Sequence, residues 1–166
     1  MSDLVLTSRR MLNVAGFLIC VGMMGFALYA QHGLLLEPCP LCVLQRFAVI
    51  GLGIVFLLAA LHNPLGLTRY LYAGLLLLIA AGGATVAGRH AWLQHLPEDQ
   101  VPACGPGLDY MWENFPFAEV INMVFQGSGE CAEVVWQFLG LSMPEWVLVN
   151  VLGLGVVGTW NNLRNL

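Results

Sequence analysis

Four long, nearly uncharged apolar runs constrain the fold of this chain more than any other feature of its sequence. Crossing about 30 Å of hydrocarbon takes roughly 20 apolar residues in a helix. The runs predict membrane spans over about 11–30, 43–62, 70–88 and 146–163. Only 10% of the 166 residues are charged, whereas soluble domains have about 25%. We therefore expect an all-α membrane protein, a four-transmembrane-helix bundle in which residues 1–166 form a single membrane domain.

The distribution of arginines indicates how this bundle sits in the membrane. An even number of spans puts both termini on one side, and four of the six cations fall there: Arg9, Arg10, Arg69 and Arg164. The positive-inside rule makes that side the cytoplasm, so 31–42 and 89–145 are expected to be outer loops. The first run could instead be a cleaved signal peptide, but it is longer than such segments usually are. The sequence has no basic run and therefore indicates no nucleic-acid partner.

Four of the five cysteines fall in the outer loops: Cys39, Cys42, Cys104 and Cys131. An even number of outward-facing cysteines is typical of disulfide chemistry and allows three pairings of the four. We favour Cys39–Cys42 with Cys104–Cys131, because a C-x-x-C ring gains little stability from closure and suits redox cycling. A structural bridge is the alternative for the second pair. Proline and glycine around Cys104, and glycines before Cys131, instead predict mobile segments and an accessible bridge.

Cys42 is the cysteine whose surroundings most favour a reactive thiolate. It lies where the second span begins, and a helix N-terminus stabilises a thiolate. Arg46, four residues on, lies on the same helix face one turn deeper. An arginine that merely snorkels to the interface is the alternative interpretation. We expect instead that Arg46 supports the Cys42 thiolate and donates hydrogen bonds to an electron acceptor.

The sequence also limits what that acceptor is. It contains no dinucleotide or phosphate-binding glycine motif, so a quinone dissolved in the membrane is the expected acceptor. His90, at the end of the third span, is a candidate proton shuttle there. Zinc bound by the C-x-x-C with His32, His90 or His95 is the chemical alternative. Structural zinc sites usually pair two C-x-x-C hairpins, and a second one is missing, so no metal is expected.

One segment of the second outer loop has the apolar periodicity of a helix. Its apolar residues recur at i, i+3, i+4, i+7 and i+8: Phe117, Val120, Ile121, Val124 and Phe125. This pattern predicts a short interfacial helix lying on the membrane surface. A helix packed on top of the bundle is the alternative.

Three motifs give the chain a specific resemblance. PCPLCVLQR over 38–46, SGECAE over 128–133 and FLGLSMPEW over 138–146 resemble the DsbB family of bacterial disulfide bond formation proteins. The resemblance implies a protein-dithiol:quinone oxidoreductase of the bacterial inner membrane, with both termini cytoplasmic and the cysteine loops periplasmic. It implies reoxidation of a DsbA-like thiol oxidase, with ubiquinone or menaquinone as acceptor; the DsbA–DsbB–quinone chain is known to keep the periplasm oxidising.

Carried onto this chain, the resemblance assigns a role to each site residue. Reduced DsbA attacks Cys104, and the Cys104–Cys131 pair passes the electrons to Cys39–Cys42. Cys42 is the quinone-facing thiolate, and Arg46 and His90 are the residues expected to contact the quinone.

Two other functions remain as alternatives. One is a quinone reductase similar to the vitamin K epoxide reductases, which use membrane C-x-x-C chemistry but lack these loop motifs. The other is a non-enzymatic membrane scaffold whose cysteines form fixed structural bridges.

Overall fold

The computed structural model describes residues 9–103, 105 and 108–164 as a helical bundle beneath a folded outer loop. Along the chain the elements are α1 (Arg9–His32), α2 (Pro40–His62), α3 (Thr68–Gln94), a 3₁₀ turn (Glu98–Gln100), α4 (Leu108–Asn114), α5 (Phe117–Gln126), α6 (Gly129–Ala132), β1 (Gln137–Phe138), β2 (Leu141–Ser142) and α7 (Met143–Leu163). Within the described residues, α1, α2, α3 and α7 are long and apolar enough to cross a membrane, by length and composition. The prediction of an all-α, four-span bundle is confirmed.

Each predicted span lies inside one of the four long helices, but α3 is longer than expected. The sequence placed its end at residue 88, before the charge of Arg89, whereas the helix continues to Gln94. The residues that follow Arg89 are compatible with a helix, and Pro97 stops it three residues later. His90 therefore lies on α3 and not in a loop, and the helix fixes its position along the bundle axis.

Phe56 of α2 is the centre of the bundle core and is only 2% exposed. Its ring fills the space left by two glycines on neighbouring helices. A Cβ atom on Gly16 of α1 would lie 2.7 Å from the ring, and one on Gly158 of α7 would lie 2.6 Å from it. These small residues let the helices approach closely without a side chain between them. Many large apolar side chains instead point outward, as lipid-facing residues do: Leu18, Phe47, Leu61, Leu78 and Val156.

A buried polar cluster fastens the end of the bundle that carries both chain ends. The Arg9 guanidinium donates to the carbonyl of Pro64 at 2.7 Å and to that of Arg164 at 2.8 Å. Asn13 of α1 donates to Asn162 Oδ1 of α7 at 3.2 Å. The start of α1, the α2–α3 turn and the end of α7 therefore meet at one end, opposite the C-x-x-C motif.

The segment between α3 and α7 folds over the other end of the bundle. The predicted helix over residues 117–126 is present as α5, and its Val120 and Val124 are 1% and 4% exposed. Both pack against a cluster that contains Leu41 and Leu93. This buried face of α5 therefore packs on top of the bundle, whereas Phe117, which is 67% exposed, points outward. Arg89 donates to the carbonyl of Gln126 at 3.1 Å and ties the end of α5 to α3.

A small β-hairpin, which the sequence did not predict, leads into α7. Gln137 pairs with Ser142 and Phe138 with Leu141 in an antiparallel ladder. The turn between them has positive φ at both Leu139 and Gly140, as a tight two-residue turn requires. Trp136, just before the hairpin, packs against Phe26 of α1, with the ring centroids 5.2 Å apart.

Candidate functional site

The C-x-x-C motif forms the N-terminus of α2. Cys39 is the N-cap residue, with extended backbone, and its Sγ accepts a hydrogen bond from the Cys42 N–H at 3.4 Å. Pro40 occupies the first helical position, where its missing N–H costs nothing. The two Sγ atoms lie 3.0 Å apart, so a bond of about 2.05 Å requires only a small side-chain adjustment. Cys39 is buried and Cys42 is half-buried, so the pair has one inner and one outer sulfur.

His90 and Gln45 lie directly against this cysteine pair. His90 Nε2 is 3.8 Å from Cys39 Sγ, and the donor atoms of Cys39, Cys42 and His90 all lie within 4.8 Å of one another. His90 Nδ1 is 2.8 Å from Gln45 Nε2, and both side chains are buried. Sequence reasoning missed Gln45. The available signal was a polar residue inside an apolar span, one turn after Cys42.

Cys131 is also part of the site, in a setting that the sequence did not predict. It is fully buried on α6 and contacts the Cys39 side chain and the backbone of Leu41. The expectation of an accessible position is therefore wrong for Cys131, while the mobility of its segment stays a prediction. The preceding Gly127 has a φ of 80°, and a Cβ there would collide with Leu93. The glycine allows this close packing.

The contact between Cys131 and Cys39 shifts the pKa values of the two thiols in opposite directions. The hydrogen bond from the Cys39 thiol lowers the pKa of Cys131 to about 6, against the opposing effect of burial. The pKa of Cys39 is raised, first by its hydrogen bond to Cys131, then by that to Cys42 and by burial. In the fully reduced site the proton is therefore favoured on Cys39, and Cys131 is favoured as the thiolate. A thiolate is the attacking form in disulfide exchange.

A cavity borders the outer sulfur of the pair. It is partly open to its surroundings and lies between α1, the start of α2 and the start of α7. Its walls include Cys42, Gln45 and Arg46 on α2, facing Met23 of α1 and Val147 of α7.

Arg46 is held at this cavity by contacts to α1. Its guanidinium donates to Gln31 Oε1 at 2.6 Å and to the carbonyl of Ala27 at 3.2 Å. The arginine thus shares a cavity with Cys42, as its position on the same helix face predicts. His90 is not a wall residue of this cavity, although its neighbour Gln45 is. The expectation that His90 contacts a quinone stays a prediction.

Two of the histidines considered from the sequence, His32 and His95, lie outside this cluster. Cys104 is not among the described residues, so its pairing with Cys131 stays a prediction. His32 is exposed at the end of α1. His95 follows α3 and contacts the Ala91 carbonyl at 2.8 Å and Glu145 at 3.8 Å. Of the three histidines considered as zinc ligands, His90 is the one whose ring lies against the cysteines.

The sequence profile of the family described as "Disulfide bond formation protein DsbB" matches residues 9–161 of the chain. The chain belongs to the DsbB family. Relatives named "Disulfide bond formation protein B" include the protein of Hahella chejuensis, which is 57% identical over 90% of this chain and 91% of its own length. The protein of Nitrosococcus oceani is 53% identical over 92% of this chain and 90% of its own length. That of Methylococcus capsulatus is 48% identical over 97% of this chain and all of its own.

Family membership and the four spanning helices make this chain a multi-pass bacterial membrane protein whose role is disulfide bond formation. The DsbB family name describes chemistry on cysteines, and the site brings three of them together, with His90 beside Cys39 and Cys42. The clustered cysteines Cys39, Cys42 and Cys131 are therefore the residues from which a mechanism has to be built.

Proposed function

We propose that the protein oxidises a periplasmic DsbA-type dithiol partner and passes the electrons to a membrane quinone. The observation that carries the proposal is the order of the three sulfurs. Cys131 contacts Cys39, Cys39 lies 3.0 Å from Cys42, and Cys42 borders the cavity with Arg46. The sulfurs form a continuous path from the outer loop to the membrane cavity.

Electrons cross this path by thiol–disulfide exchange. In the resting state Cys39 and Cys42 form a disulfide, and a Cys131 thiolate attacks Cys39 Sγ. The Cys39–Cys42 bond breaks, a Cys39–Cys131 bond forms, and Cys42 leaves as a thiolate. The N-terminus of α2 stabilises that leaving thiolate through its backbone dipole. His90, with Nε2 3.8 Å from Cys39, is placed to exchange a proton with the pair.

The cavity beside Cys42 fits a quinone as the electron-accepting substrate. Its wall is mostly apolar, as a ring with a hydrocarbon tail requires, and its polar groups gather near Cys42. A quinone bound there would accept two electrons and two protons. Arg46 has donors at the cavity wall that suit a ring carbonyl and the negative charge that develops there. Ubiquinone and menaquinone share these features, so either is compatible.

The partner reaches the site from the opposite, outer side. Cys104 is the proposed point of attack by the partner's thiolate, with Cys131 as the sulfur it is bonded to. The bundle end that carries Arg9 and Arg164 is the cytoplasmic end under the positive-inside rule, which puts the cysteine end in the periplasm.

A two-substrate assay of the purified protein tests this function. Reduced DsbA-type partner and a soluble quinone are mixed with the full chain, and quinone reduction and partner oxidation are followed together. We expect one quinone reduced per partner disulfide formed. Cys42→Ser should abolish the reaction, and Cys20→Ser, which changes a buried cysteine of the bundle core, should retain it. A scaffold with fixed bridges would reduce no quinone, and a quinone reductase without a DsbA-type partner would leave the partner reduced.

A further inference from the structure

We infer that the reduced site also binds one thiophilic divalent cation, with Zn²⁺ as the type case, through Cys39, Cys42 and His90. The three donor atoms lie within 4.8 Å of one another, at the N-terminus of α2 and in the last turns of α3. Two thiolates and one imidazole are donors that Zn²⁺ prefers, and three protein ligands leave a fourth position open. This is a second property of the reduced cysteines, separate from electron transfer.

The geometry requires only small movements. Zn–S bonds of about 2.3 Å and a Zn–N bond of about 2.0 Å in a tetrahedron put two sulfurs about 3.8 Å apart and sulfur and nitrogen about 3.5 Å apart. The structure has 3.0 Å between the sulfurs and 3.8 Å between Cys39 Sγ and His90 Nε2. The distance between the two sulfur atoms must therefore increase by about 0.8 Å, which a small χ1 rotation of the cysteines provides.

Charge favours the cation in the reduced state alone. Two thiolates close together in a buried site are costly, and a divalent cation neutralises them. Binding displaces two protons from the two thiols and changes no oxidation state. A Cys39–Cys42 disulfide has no thiolate to offer, so oxidation of the pair should release the metal.

Gln45 is placed to support His90 as a ligand. A histidine that binds metal through Nε2 carries its proton on Nδ1 and donates it to an acceptor. Gln45 lies 2.8 Å from Nδ1, and a half-turn of its amide presents Oε1 in place of Nε2. A glutamate at position 45 is an acceptor in either orientation, so Gln45→Glu should favour the metal-binding tautomer. A methionine there offers no comparable acceptor.

A bound cation would oppose the proposed function. With both sulfurs ligated, neither can re-form the disulfide, so the electrons stay on the protein. That consequence rests on the proposed function, whereas the binding itself does not.

Cobalt titration of the full chain tests the site directly. The protein is placed in quinone-free lipid discs, reduced, and freed of reductant without oxygen. Co²⁺ is added while the thiolate-to-cobalt absorption is followed, and Zn²⁺ is then added to displace it. We expect one Co²⁺ per chain in the reduced protein and no such absorption after oxidation of the pair. Cys42→Ser should lose the absorption and Cys20→Ser should keep it. Gln45→Met should weaken binding by about tenfold or more, and Gln45→Glu should strengthen it.

The comparison of reduced and oxidised wild-type protein needs no variant, so misfolding cannot obscure it. Absence of thiolate absorption in the reduced wild-type chain would overturn the inference, as would equal binding before and after oxidation. Loss of binding in Cys20→Ser would point to an unrelated site and would also overturn it. A chain that reduces quinone but binds no cobalt would refute this site alone, and a chain that binds cobalt but reduces no quinone would refute the proposed function alone.

Discussion

Replacing Gln45 with methionine should slow turnover without dismantling the site. The change keeps an unbranched side chain of similar length but removes the group that lies 2.8 Å from His90 Nδ1. Because His90 is 3% exposed, water does not readily replace the lost partner. A buried polar group left unpaired costs about 1–3 kcal/mol. If that cost falls on the orientation in which His90 faces the cysteines, the rate falls by roughly 5- to 150-fold.

The assay is the coupled reaction of reduced partner and quinone, with thermal unfolding measured on the same samples. Gln45→Glu should lose less activity than Gln45→Met, because a carboxylate at position 45 can accept a hydrogen bond from His90 once the ring carries its proton on Nδ1, so the ring keeps a polar partner. Gln100→Met, at an exposed position of the outer loop, serves as the matched control and should behave as wild type. A dependence of the rate on pH that changes in Gln45→Met but not in Gln100→Met would identify a role beyond folding. Turnover of Gln45→Met within twofold of wild type would refute the reasoning.

Three further predictions follow from the geometry. Arg46→Ala should raise the KM for quinone and leave the KM for the dithiol partner unchanged, in the same steady-state assay; an unchanged KM for quinone would remove Arg46 from the site. The pKa of Cys131 is lowered to about 6, so this residue should be a thiolate above that pH. Thiolate absorbance of the reduced chain should therefore persist down to about pH 6 and be smaller in Cys131→Ser. Identical pH titrations of the two proteins would contradict the assignment. Val124→Ala should lower the stability of the outer loop by roughly 1–3 kcal/mol through lost burial, measured by hydrogen exchange of α5; unchanged protection would show that α5 does not depend on this contact.

The four spans were predictable because length and hydropathy suffice to identify a membrane helix. The end of α3 was not, because the charge of Arg89 indicates a membrane boundary, and a helix does not have to stop where the membrane does. The C-x-x-C at a helix start and Arg46 on the cavity side both follow from chain spacing alone. These features depend on contacts within one helix or on composition.

The features that sequence reasoning missed depend on contacts between distant segments. Cys131 is buried against Cys39 and the backbone of Leu41, which lie far before it in the chain. The glycine at position 127 has the same appearance in a mobile loop and in a tightly packed one. Gln45 gained its role only when α3 brought His90 beside it, 45 residues later in the sequence.

Disulfide mapping during a single turnover tests most directly whether Cys131 passes electrons across Cys39 to Cys42. Oxidised protein is mixed with reduced partner, quenched with acid at successive times, alkylated and analysed by mass spectrometry. The mechanism predicts a transient Cys39–Cys131 bond, with Cys42 alkylated, that appears before quinone is reduced. A Cys42–Cys131 bond in its place, or quinone reduction with the Cys39–Cys42 bond intact throughout, would contradict it.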